Sequence, residues 1–471
     1  NTGWTIANNR IFQTASRNYT TANTHRGILV NGGSGYTVSG NVVGFASSAG
    51  TGTYTMTSTA VATSFAGIQV QPGNGVNNIQ GNTVAGISLG TTTGALTGIT
   101  LTAGSANIGT TTANTVGATT GTGSLTLTST SGTTSFIVGM NVSGTTTGTV
   151  NFSNNTIGSL TAIGSATVNA NINAVQLTGG VLTVSNNLIG SASTANSIQG
   201  TTTGVSGTSQ QLIGMIVGGT SPLTISGNTI ANLTSAGTGT AHVIRGLQHQ
   251  GTGTATIQSN SIHDISGASA NVTVAGGGTA VEGILYTGTT PYGASVDQNS
   301  IFALSATNSG AVSTSVAGIG YSNPTNGTVT RNRIYDLRNA STGTTVTAPP
   351  MAIGILVRAA LGAGGTFANN MISLGDSQAT NTQFVGAMNS FVTNTVNFLY
   401  NSVQIQGTAS GGALPSYGFL RGDNGAASAI TSAVNLKNNI LSNTRTGGTG
   451  KHYAIGNVNS VPATGWGAGA S

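Results

Sequence analysis

The 471-residue chain has 74 glycines, no cysteine and only 4% charged residues, which excludes disulfide staples, cysteine–zinc sites and thiol chemistry. No apolar run approaches the ~18 residues of a membrane-spanning helix, so no transmembrane segment is expected, and 37% hydrophobic residues in regular order argue against disorder. No Asp, Glu, Lys or Arg falls between Arg26 and Arg245, and all six acids lie at or beyond Asp264; the net charge of +6 is a shortage of acids and not a basic patch, so no nucleic-acid partner is expected.

The chain opens inside a strand-like segment, Trp4-Thr5-Ile6, with no leader-like start, as in a mature protein or an excised fragment. From there one pattern recurs: an apolar residue, two residues, Asn, one residue, then Ile or Val. The Asn positions are Asn9, Asn41, Asn82, Asn114, Asn155, Asn187, Asn228, Asn260, Asn299, Asn332, Asn370, Asn401 and Asn439. The position two residues later is apolar every time, from Ile11 to Leu441, and the position three before is apolar except at Thr111. Side chains alternate along a strand, so positions two apart share a face. The residue three before can face the same interior only if the chain bends. The Asn is expected to take that bend in the left-handed conformation it tolerates, after a predecessor that is often Gly or Asn, such as Gly40, Gly81 or Asn154.

A second column lies about fourteen to sixteen residues upstream in most repeats and reads Gly-apolar, as in Gly27-Ile28, Gly67-Ile68, Gly139-Met140, Gly283-Ile284 and Gly418-Phe419. Helical periodicity and helix caps are absent. Strands that recur once per repeat without a helical crossover predict a solenoid. The Asn spacings alternate between 32 and 41 residues as far as Asn228, and residues 52–65 (GTYTMTSTAVATSF) resemble residues 123–136 (GSLTLTSTSGTTSF). The pattern reads as duplication of a two-coil unit. The expected fold is all-β, a right-handed parallel β-helix of about thirteen coils with an Asn ladder at one corner. It fills one domain over 1–457, and 458–471 form a C-terminal extension or the start of a following segment.

The Asn column between short apolar strands resembles the pectin-lyase-like right-handed β-helix superfamily, in which stacked Asn side chains form a ladder. The segment NNILSNTRTGGTGKHYAIGN, residues 438–457, resembles one common in large secreted bacterial surface proteins exported by the type IX system. The resemblance implies an extracellular, cell-surface location, and a separate sorting domain following the β-helix.

That superfamily includes polysaccharide lyases and glycosidases, so the acids are the candidate chemistry. Asp264 and Asp336 each lie four residues after their Asn, two coils apart, about 9.6 Å at the spacing of strands. Inverting glycosidases hold their carboxyl groups at a comparable separation. With Asp297 and Arg331, and with Arg333 close by, they form the catalytic set if the chain is an enzyme; no cofactor or metal is called for. An exposed row of aromatics would suit a carbohydrate-binding module, and Tyr286, Tyr321 and Tyr335 are the candidates. Arg421-Gly422-Asp423 spells an integrin tripeptide, His242, His249 and His263 lack zinc-motif spacing, and the T-x-T strings at Thr53–Thr57 and Thr126–Thr128 could form an ice-binding ladder. The expected function is a non-catalytic structural or adhesive segment of a larger surface or filament protein. Its expected partners are flanking repeats or copies of itself through open solenoid ends, and surface glycans. The alternative is a polysaccharide-active enzyme or a carbohydrate-binding module on the same fold.

Overall fold

A computed structural model describes residues 2–457 apart from 59, 74, 131–133, 166, 204–209, 272–278, 289–293, 323–326, 346–347, 359–364, 391–394 and 423–432. The extension expected at 458–471 and Asp423 lie outside the described residues. The chain divides into two compact units, Asn1–Gly239 and Thr240–Ser471. Among the described residues there is no helix, and so none long and apolar enough to cross a membrane.

Each unit is a parallel β-solenoid with three faces. In the first unit, strand Thr24–Asn31 lies on the glycine face and Thr37–Ser39 on the face before the Asn. After Asn41 the chain enters the third face through Val42–Gly44 and Tyr54–Thr57, and the next coil begins at Ser64–Gln71. Partners are parallel and one coil apart, as in the run Ile28↔Ile68↔Ile99↔Met140. Each unit holds six coils with all three faces among the described residues. That is slightly fewer than the thirteen counted from the Asn column, because the coil of Asn9 has no glycine-face strand among the described residues.

The Asn column forms the ladder at the corner between two faces. Asn41 is fully buried. Its Oδ1 accepts from the Asn9 backbone N–H at 3.0 Å and from Asn9 Nδ2 at 2.9 Å. Its Nδ2 donates to Asn82 Oδ1 at 3.0 Å and to the Ile6 carbonyl at 2.8 Å. The same arrangement recurs at Asn332, whose Nδ2 donates to Asn370 Oδ1 and to the Val296 carbonyl. Each amide thus spends its hydrogen-bonding groups on the coils either side, which makes burial tolerable. The expected left-handed Asn is corrected here. Positive φ falls on the residue before it: 63° at Gly40, 59° at Asn154, 56° at Arg331 and 57° at Tyr400. The corner residue turns outward, and the following Asn points inward in ordinary extended backbone. Non-glycine residues at such corners carry roughly 1–2 kcal/mol of strain, offset by the ladder that holds the corner.

The apolar columns flanking each Asn are also in register. Val38 pairs with Ile79 and Ile79 with Ile108. The break at Thr111 is therefore a shift of position: three extra residues separate Ile108 from its corner, and Ile108 fills the rung between Ile79 and Phe152. The glycine column has a steric cause. A Cβ on Gly67 would come within 2.5 Å of Val84 Cγ1 and 2.7 Å of the Gly98 carbonyl oxygen. The apolar residue after each Asn therefore presses on the glycine across the core. Ala174 takes this position where the glycine column skips a coil, between the paired rungs Val138↔Asn173 and Met140↔Val175.

In the second unit the core carries a continuous aromatic column. His249, Tyr286 and Tyr321 stack with centroids 4.5 and 5.4 Å apart, and Phe367, Phe398 and Phe419 continue it at 5.5, 4.9 and 4.8 Å. His249 is fully buried, and among the described residues neither ring nitrogen has a hydrogen-bond partner. Burial pushes its pKa down to about 4. The unfolded chain takes up that proton near pH 6.5 while the folded one refuses it. The stability that His249 contributes is thus complete above pH 6.5 and falls as the pH drops toward 4, by about 3 kcal/mol. Urea unfolding between pH 7 and 4 should show this slope, and His249→Phe should reduce it, leaving the share of His25, His242 and His452, whose pKa values burial also lowers; an unchanged slope in the variant would rule the histidine out. The ion-paired Asp297, whose pKa is lowered, loses its stabilising contribution only as the pH falls below the usual carboxylate range.

Candidate functional site

The third face of the second unit holds the site. Its strands Ser261–Gly267, Ser300–Ala306 and Arg333–Asn339 run through a left-handed residue, Asp264, Ala303 and Asp336, with φ of 53°, 53° and 52°. This bend keeps Ile265, Leu304 and Leu337 inside after it. Just before it, one outward position per coil is in register: His263, Phe302, Tyr335, Ser373, Gln404 and Ser442. The first three form a half-exposed stack, with centroids 4.6 and 4.9 Å apart and planes within 8°. At Ser373 the rings stop and the surface steps down.

The step opens a groove of about 690 Å³. Tyr335 and Arg333 form one end, while Ser373, Ser402, Gln404 and Ser442 lie along it. The neighbouring outward column runs Arg333, Met371, Ser402, Ile440. Met371 and Ile440 are 61% and 68% exposed, so two apolar prongs flank Ser402. The groove spans four coils, three steps or ~14 Å along the axis at the strand spacing. That length suits an extended chain of rings better than a single one.

Charges line one side. The Asp336 carboxylate accepts from Arg338 Nε at 2.6 Å, and this bond, with the carboxylate's charge, raises the Arg338 pKa. Asp376 also lines the groove and accepts a 3.4 Å bond from the Ser377 hydroxyl. The Arg333 guanidinium lies 4.7 Å from the Tyr335 ring centroid. Phe302 already covers one face of that ring, so Arg333 covers the other, toward Ser373. Among the described residues no carboxylate pairs with Arg333.

Of the acids singled out in the sequence, only Asp336 lines this groove. Asp264 lies two coils away in the same column, beyond Ala303, with its carboxylate 2.7 Å from His263 Nδ1. Asp297 and Arg331 sit at the Asn corner instead. Arg331 Nε donates to Asp297 Oδ1 at 2.9 Å, Thr330 Oγ1 donates to the same oxygen at 2.8 Å, and Arg331 Nη2 binds Oδ2. Burial pushes the Asp297 carboxyl up, but the bonds from Arg331 and Thr330 outweigh it and hold the pKa below its ordinary value. The four residues are thus not gathered into one groove. Sequence reading weighed His263 only as a metal ligand and missed Phe302 and Asp376. His263 and Phe302 were within reach, since both stand three residues after a ladder Asn, as Tyr335 does.

The remaining candidates separate by burial. Tyr286 and Tyr321 belong to the inner aromatic column and are 1% and 2% exposed, which leaves Tyr335 as the surface member of the three. Arg421 is fully buried and donates to Asn457 Oδ1. His242 and His249 are buried, and among the described residues no three His, Asp or Glu side chains converge on one point. Thr55, Ser88, Thr126, Thr161, Gln199 and Thr234 are in register. Thr161 is buried and Gln199 interrupts, so this row is not an open threonine ladder.

Comparison of the chain with protein-family models, curated proteins and solved structures finds no match.

Proposed function

We propose that the chain is an adhesive, non-catalytic β-helix segment of a secreted cell-surface protein, and that it holds glycans in the groove beside Tyr335. The groove itself carries this reading: an aromatic stack ends at a step, and apolar prongs, hydroxyls and charged groups line the space beyond it. Sugars offer apolar ring faces and hydroxyl edges, which such a surface matches. The resemblance of residues 438–457 to type IX-exported surface proteins, and of the Asn column to the pectin-lyase-like superfamily, supports a location where glycans are met. The carboxylates of Asp264, Asp297 and Asp336 each have a close partner, which favours holding over cleaving.

A glycan array followed by calorimetry tests the proposal. Binding is expected, and Tyr335→Ala should weaken it at least tenfold, about 1.4 kcal/mol, with the circular dichroism spectrum unchanged. Silence across the array, or full affinity in the variant, would sink it. Asp336 and Asp376 lining one groove favours a second reading, a polysaccharide-cleaving enzyme. Release of new sugar ends by the wild type, abolished in Asp336→Asn/Asp376→Asn, would establish that instead.

A further inference from the structure

Resting on the glycan reading of this groove, we infer that its Tyr335 end is a subsite for an anionic substituent, so that the preferred ligand is an acidic saccharide carrying a carboxylate or sulfate. Three observations converge on Arg333. It is exposed at the groove's end. Its guanidinium lies on the open face of Tyr335, 4.7 Å from the centroid, where the stack His263–Phe302–Tyr335 would otherwise continue. Among the described residues it has no carboxylate partner, whereas Arg338 is held by Asp336 and Arg331 by Asp297.

The stack explains why this arginine remains available. Ser373 follows Tyr335 in the column and is too small to cover the ring, so the flat guanidinium takes the vacant face, where the ring's quadrupole attracts a cation. Stacking satisfies the face of the guanidinium and leaves its N–H groups without an anion. Held over the ring, these donors form a fork that a carboxylate or sulfate can engage through two charge-assisted bonds. The sugar ring bearing that anion then lies over Ser373, where the groove floor is low. Asp376 stands elsewhere along the groove lining and disfavours a second anion beside it. The ligand is therefore acidic at the Tyr335 end and neutral further along.

The test uses three matched probes and the full chain: a neutral gluco-oligosaccharide, the same chain oxidised to the uronate at its C6 positions, and the same chain sulfated there. Calorimetry at low salt should give at least tenfold tighter binding of one or both acidic probes than of the neutral one. The two acidic arms tell which anion the fork prefers. Added salt should shrink the ratio. Arg333→Gln should bring the ratio close to one, each acidic probe being read against the same variant's own affinity for the neutral probe, and Arg333→Lys should keep only part of it. Equal binding of all three probes by the wild type, or a ratio preserved in Arg333→Gln, overturns the inference and leaves the glycan reading standing. No binding of any probe overturns both.

Discussion

Replacing Glu282 with glutamine should destabilise the second unit by roughly 3–5 kcal/mol, the cost of leaving buried charges without their counter-ion. Glu282 is completely buried on the glycine face, in register with Arg245. Its Oε1 accepts from Arg358 Nη2 at 2.6 Å, and its Oε2 lies 3.6 Å from Arg245 Nε. Both arginines are themselves buried, at 6% and 3% exposure. Burial pulls the Arg245 pKa below its ordinary value, while Glu282 pulls it back up. The glutamine keeps the shape and removes the negative charge, so two guanidinium groups face each other in a place without water. Gly320 leaves the room for this contact: a Cβ there would run into the Glu282 carboxylate and come within 2.7 Å of Arg358 Nη2. Gly320→Ala should therefore reproduce much of the loss. The triple change Arg245→Met/Glu282→Leu/Arg358→Met should recover stability, since apolar replacement of a whole buried ionic group is often neutral or favourable. Urea melts of the variants decide it. A Glu282→Gln protein within 1 kcal/mol of wild type would show that the charges are compensated some other way.

Asn82→Ala should cost roughly 3–5 kcal/mol in the first unit, because a single truncation leaves several buried groups unmatched. Asn82 Oδ1 accepts from the Asn41 backbone N–H at 3.1 Å and from Asn41 Nδ2 at 3.0 Å, while its Nδ2 donates to the Val38 carbonyl at 2.8 Å and to Asn114 Oδ1 at 2.9 Å. Alanine takes the acceptor from two donors and the donor from a carbonyl, with no water near. Asn82→Asp should be at least as damaging, since its second oxygen would face Val38 O and Asn114 Oδ1, both acceptors. Asn439 offers the internal control. It is only half-buried, so Asn439→Ala should cost far less. Equal losses at the two positions would mean that the amides matter as local corner residues and not as a ladder.

Sequence alone determined the repeating frame. An Asn every coil with an apolar residue two later recurs thirteen times, and a glycine before an apolar residue upstream recurs in most coils, so a local shift such as that at Thr111 does not hide the frame. The structure added causes that no single repeat reveals. Which corner residue turns left-handed depends on how Asn82 is gripped by Asn41 and Asn114. Why Gly67 must lack a side chain depends on Val84, seventeen residues on but directly across the core.

The candidate site was less legible for the same physical reason. The solenoid sets side chains 30 to 40 residues apart into contact, so the partner of a charge is decided by register as well as by proximity in the chain. Asp297 finds Arg331 at the next corner, Asp336 keeps Arg338 two residues away, and Tyr335 meets Phe302 on one face and Arg333 on the other. The identities were all in the sequence. Whether Tyr335 lay at the surface while Tyr286 and Tyr321 lay inside was settled by the face each occupies: Tyr286 and Tyr321 end strands of the glycine face, pointing inward, and Tyr335 stands at an outward position of the third face. The groove exists because a serine follows a tyrosine one coil later, a juxtaposition that only the folded chain creates.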